Sequence, residues 1–152
     1  MAELTEKDRL IGQLTFAWDY LFWPNVESLS DDEYWWEPVD NVWTIRPQDD
    51  GSVRLDWKWV DAKVDPVTTI AWLVNHMIWF FEDRYMKHFE DTFLEMDDMT
   101  IPMTAREALS SLQAAYTRWV SALEAAPDER FDQPCGQAEK YYPEEPFAVL
   151  VL

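Results

Sequence analysis

The sequence predicts an all-α helical bundle with one ordered insert, and three observations carry that reading. Apolar residues recur at helical spacing in three long segments. Ser/Thr-x-x-Asp/Glu boxes stand at the starts of several of them. Only three glycines occur in 152 residues, which leaves little for tight hairpins or glycine-rich loops. The length suits one domain, taken as residues 1–152, with a sizeable core.

The first helix is expected at about residues 6–23. Leu10, Leu14, Trp18 and Leu21 repeat at helical spacing with Ile11 and Phe22 beside them. Thr5 and Asp8 form a weak capping box, and Pro24 stops the run. Ser30-Asp31-Asp32-Glu33 is a cleaner box, but Pro38 limits it to a short turn of helix. From Val39 to Asp65 the texture changes to prolines and short alternating runs around the Asp49-Asp50-Gly51 turn. A small hairpin or ordered loop fits there. Trp43, Trp57 and Trp59 argue against a bare linker and for an insert lying across the end of the bundle.

Asp65-Pro66 reads as a cap and N1 proline for the second helix, 67–89. Ile70, Leu73, Val74, Met77, Phe81, Tyr85 and His88 form one stripe, and Trp72, His76, Trp79, Phe80 and Asp83 an adjoining one. A helix apolar nearly all round until Phe81 belongs in the centre of the molecule. Thr104-Ala105-Arg106-Glu107 opens the third helix, 104–125, whose buried face is Leu109, Leu112, Tyr116, Trp119 and Leu123. Residues 127–145 are polar and irregular. Pro146 followed by six apolar residues reads either as the start of a fourth helix, 146–152, or as a short apolar tail plugging a groove.

Composition excludes several functions. Twelve basic against thirty acidic residues give a net charge of −18, which repels nucleic acid and anionic lipid alike. No run is long enough to span a membrane, and the N-terminal residues carry no signal-like pattern, so a cytoplasmic location is expected. The single Cys135 excludes an internal disulfide and any CxxC pair, and it reads as inert. Asp31, Asp32 and Glu33 read as helix-start charges, and Asp97-Asp98 as solvated.

His76 is the most informative single residue. A lone imidazole on an apolar face is either a hydrogen-bonded core residue or one arm of a metal site. Trp72 and Trp79 flank it by one turn on either side, and with Trp43 they are the candidate pocket-lining residues. His88 reads as exposed or half-buried, about 18 Å further along the helix. Asp83 shares the face of His76 but lies two turns away, too far for a tight paired site.

The chain resembles the DinB-like family of small four-helix proteins, which includes thiol-dependent transferases related to maleylpyruvate isomerase. The resemblance rests on Leu-Ser-Asp-Asp-Glu-Tyr (29–34), Val-Trp-Thr-Ile-Arg-Pro (42–47), Thr-Thr-Ile-Ala-Trp-Leu-Val-Asn-His (68–76), Thr-Ala-Arg-Glu-Ala-Leu (104–109) and Pro-Phe-Ala-Val-Leu-Val-Leu (146–152). It implies an up-down-down-up four-helix bundle, often dimeric, with a divalent metal (zinc or nickel) on three histidines. The histidine of the second helix maps onto His76. The other two belong to a fourth helix that would follow Leu152, so the resemblance implies a truncated last helix and an incomplete metal site. Two functions follow as expectations. One is a metal-dependent transferase that joins a small thiol to a small electrophile. The other is a non-catalytic small-molecule-binding or homodimerising module, its apolar segment 147–152 exposed for a second copy.

Overall fold

A computed structural model describes residues 3–57 and 67–151, and the architecture is mostly helical. Helix α1 (Glu6–Phe16) starts on the predicted box: Thr5 accepts from the backbone N–H of Asp8, whose side chain returns the bond to Thr5. The helix does not stop at Pro24. It passes through a π-helical turn, Ala17–Phe22, into α2 (Trp23–Val26). The wider turn lets Trp23 donate five residues back to Trp18, and Pro24, having no N–H to place, sits in the first turn that follows. The extra residue also rotates the face. Trp18 is buried, while Leu21, predicted to face inward, is 63% exposed.

Helix α3 (Asp31–Tyr34) has the full Ser30–Glu33 box. The hairpin is present as β1 (Ile45–Pro47) and β2 (Val53–Leu55), antiparallel with Ile45 opposite Leu55. Gly51 takes a φ of +82° at its tip, where a side chain would be strained. Ile45 and Leu55 turn inward onto the helices.

The second long helix is α4 (Ile70–Phe89), three residues shorter at its start than predicted. Trp43 and Thr68 form a parallel bridge, so that stretch is extended, and Thr69 caps the helix by accepting from the Trp72 N–H. The Asp65-Pro66 cap and Trp59 fall outside the described residues. The buried side of α4 also departs from the predicted stripe. Ala71, Val74, Asn75, Ile78 and Phe81 face the core, and Leu73 is on the solvent side.

A crossover containing a 3-10 turn, Met96–Asp98, leads to α5 (Ala105–Ala125). Thr104 caps it, and Asp31 of α3 accepts a second bond at its start, from the Ala105 N–H at 2.7 Å. Its five predicted core residues are all buried. Helices α4 and α5 run parallel, with Phe81 against Tyr116 and Glu82 paired to Arg118. Helix α1 runs antiparallel to α5: Lys7 reaches Ala126 and Asp128, while Trp18 stacks on Tyr116 at 3.7 Å.

After α6 (Glu129–Asp132), the last described segment is a 3-10 helix, Phe147–Leu150, not the opening turns of an α-helix. It is also not exposed. Phe147, Leu150 and Val151 are almost fully buried, and the Phe147 ring meets those of His88, Phe89, Trp119 and Phe131. Burying these rings accounts for the inward turn of a segment too short to hold as an isolated helix. No helix among the described residues is long and apolar enough to cross a membrane.

Candidate functional site

The site residues of α4 follow from its pitch. Trp72, His76 and Trp79 stand four and three positions apart, so their rings rise one above another on one face. His76 stacks on Trp72 at 4.7 Å and on Trp79 at 5.6 Å between ring centroids. Each indole is fixed by its N–H: Trp72 donates to the Asp56 carbonyl and Trp79 to the Leu94 carbonyl, both at 2.8 Å. One helix face is thereby tied to the hairpin on one side and to the crossover on the other.

The hairpin supplies a further wall. Trp57, just after β2, stacks on His76 at 5.7 Å and lies parallel to Trp72 at 6.1 Å. Trp43 closes against Trp57 and Trp72 at about 6 Å. Its backbone is held by the bridge to Thr68, and its neighbour Thr44 accepts a buried bond from Thr69. Asp56 locks the same strand, accepting from the Thr44 N–H and from Arg46. The structure thus brings together all four sequence candidates, Trp43, Trp72, His76 and Trp79. It adds Trp57, whose place depends on a hairpin that brings it back over α4.

Beside this array lies a cleft of about 540 Å³ walled by Trp57, Trp79, Arg54, Glu95, Met96 and Asp97. That volume is within the range of small-molecule sites. A larger open groove of about 630 Å³ lies on α5 beside Trp23, Gln113 and Thr117. Among the described residues its one charged wall residue, Arg118, is paired with Glu82, and none of them is a histidine or carboxylate. The cleft beside His76 therefore has the richer chemistry.

Burial lowers the pKa of His76 from its ordinary 6.5, keeping the ring neutral near pH 7. Its buried Nδ1 has no hydrogen-bond partner among the described residues. An orphaned imidazole nitrogen is what a metal ligand looks like before its ion binds. The surrounding donor set is wrong for one, however. The rings around His76 are indoles, and no three His, Cys, Asp or Glu residues among those described could hold a metal ion together. Asp83 is already engaged, accepting from the Leu94 N–H and pairing with Lys87. The described residues do not fit a zinc or nickel centre at His76.

His88 is half-buried as a residue, as expected, but its side chain is turned inward. Its side chain is 1% exposed, with Nε2 bonded to Glu139 at 3.1 Å and Nδ1 facing Arg130 at 3.3 Å. A guanidinium can only donate, so Nδ1 accepts and Nε2–H donates to the carboxylate. Burial alone would raise the Glu139 carboxyl, but the His88 hydrogen bond and nearby Arg84 outweigh it and hold it below its ordinary value. Cys135 is buried nearby with its thiol pushed up by burial, an arrangement that disfavours thiolate chemistry.

A second buried network links α3 to α4. Asn75 donates to the Tyr34 hydroxyl at 2.7 Å, and Tyr34 donates to the Pro102 carbonyl. Burial pushes the Tyr34 phenol up to about 12, so it stays protonated as that donor.

A family model described as the DinB superfamily matches residues 54–152. The chain belongs to that superfamily. No curated protein and no solved structure matches it. The matched stretch of this DinB-superfamily chain begins at the second hairpin strand. It therefore contains Trp57, the aromatic face of α4 and the described wall of the cleft, while Trp43, which does not line that cleft, lies outside it.

Proposed function

We propose that this DinB-superfamily chain is a binding module for a small organic molecule, held in the cleft between the hairpin and α4. The observation that supports this best is the pairing of Trp57 and Trp79 at the cleft wall, both stacked on one half-buried histidine. Aromatic faces supply most of the contact area in such sites, and a few polar groups fix orientation. The overall arrangement is taken as the up-down-down-up bundle, with the parallel pair α4 and α5 as its middle helices. Titrating a small fragment set while following the indole N–H resonances tests the reading. Shifts concentrated at Trp57 and Trp79 are expected. Shifts confined to Trp23, or none, would overturn it.

A metal-dependent transferase acting on a thiol and a small electrophile is the alternative, favoured by the orphaned Nδ1 of His76. It requires further ligands that the described residues do not place beside His76. Protein prepared with added zinc or nickel separates the two readings. One equivalent of metal, lost on His76→Ala, supports the transferase. None bound supports the binding module.

A further inference from the structure

We infer that the cleft is built for an organic cation, an alkylated or aromatic nitrogen of roughly the size of a quaternary ammonium group, seated against the indoles of Trp57 and Trp79 and balanced by Glu95 and Asp97. The inference rests on the binding reading above and names its ligand class.

An indole face is negative and its N–H edge positive, and a cation within about 6 Å of the ring is attracted to the face. The N–H of Trp79 is committed to the Leu94 carbonyl. Its positive edge is therefore turned to the backbone, and of its two faces one is stacked on His76, which leaves the other for a ligand. Between the two carboxylates stands Met96, half-buried, whose polarisable thioether suits a methylated nitrogen.

The charges point the same way. Glu95, just before the 3-10 turn, and Asp97, within it, stand on the wall, both exposed and neither in an ion pair among the described residues. The one basic residue on the wall among those described is Arg54, which also lies within electrostatic reach of Asp50 across the hairpin turn. His76 behind the indoles stays neutral because burial opposes its protonation, so it does not repel a cation. The chain's net charge of −18 adds a long-range field that draws cations to the surface and repels anions. A neutral apolar ligand would gain from the rings and nothing from the carboxylates. An anion would meet both carboxylates.

Calorimetric titration of the full chain with choline and with its uncharged isostere 3,3-dimethylbutan-1-ol tests this. Choline should bind about tenfold more tightly at low salt, the size expected of one partly desolvated cation–π contact with nearby carboxylates. Added salt should narrow the gap. The surface double variant Glu95→Gln/Asp97→Asn should bring choline to within about threefold of the isostere, and Trp79→Leu should weaken both. Equal affinity for the two probes overturns the cation inference, as does choline binding that neither variant alters. If choline fails while fragments still shift Trp57 and Trp79, the cation inference falls and the binding reading stands. If both fail, both fall.

Discussion

Two histidines lie twelve residues apart on α4, and their surroundings are opposite. His76 is packed among three indoles with a buried nitrogen left unpaired among the described residues. His88 has both nitrogens engaged, one by a carboxylate and one by a guanidinium, with the Phe147 ring at 5.1 Å. An unpaired buried polar atom costs stability, and a satisfied one contributes to it. The contrast assigns different work to the two ends of one helix. The His88 end fastens the last described segment to the fold, and the His76 end carries an unmet polar demand beside a cleft.

The largest effect should come from the fastening end. Phe147→Ala removes a fully buried ring from among four others and should cost about 4 kcal/mol. For a chain of this size that lowers the melting temperature by about 10 °C. A loss below about 1 kcal/mol would show that Phe147–Leu150 is not part of the core.

Acid should reach the two ends at different pH. Folding holds His76 below its ordinary 6.5, so the unfolded chain binds more protons there. Stability is complete above 6.5 and falls as pH drops from there to the lowered folded value. Glu139 is held below its ordinary 4.5, so its contribution is present above 4.5 and lost as pH falls through the folded value. Chemical denaturation across pH 4 to 8 should therefore show an upper step that His76→Phe abolishes and Glu139→Gln leaves. An upper step surviving His76→Phe would transfer it to another group.

What could be read from the sequence was mostly local. The Thr5 and Ser30 boxes act over three residues, and the spacing of Trp72, His76 and Trp79 is a property of one helix. Trp57 was visible only as part of an aromatic-rich insert, because its stacking on His76 depends on how the hairpin folds back. The His88 cluster was out of reach. Its partners lie 42 and 51 residues away, in a stretch with no periodicity to place them. The π-turn at Ala17–Phe22 was missed for a different reason. Apolar spacing of three and four looks continuous through it, and the proline that appears to end the helix is tolerated because of it.

The most direct test exchanges each histidine for phenylalanine and compares melting temperature with fragment binding at the indoles. His76→Phe keeps the ring stack and removes the orphaned nitrogen, so the melting temperature should hold or rise while binding changes. His88→Phe strands Arg130 and Glu139 and should cost about 2 kcal/mol, or about 5 °C, while binding at Trp57 and Trp79 persists. The reverse pattern, with His76 needed for stability and His88 for binding, would contradict the assignment of the two ends.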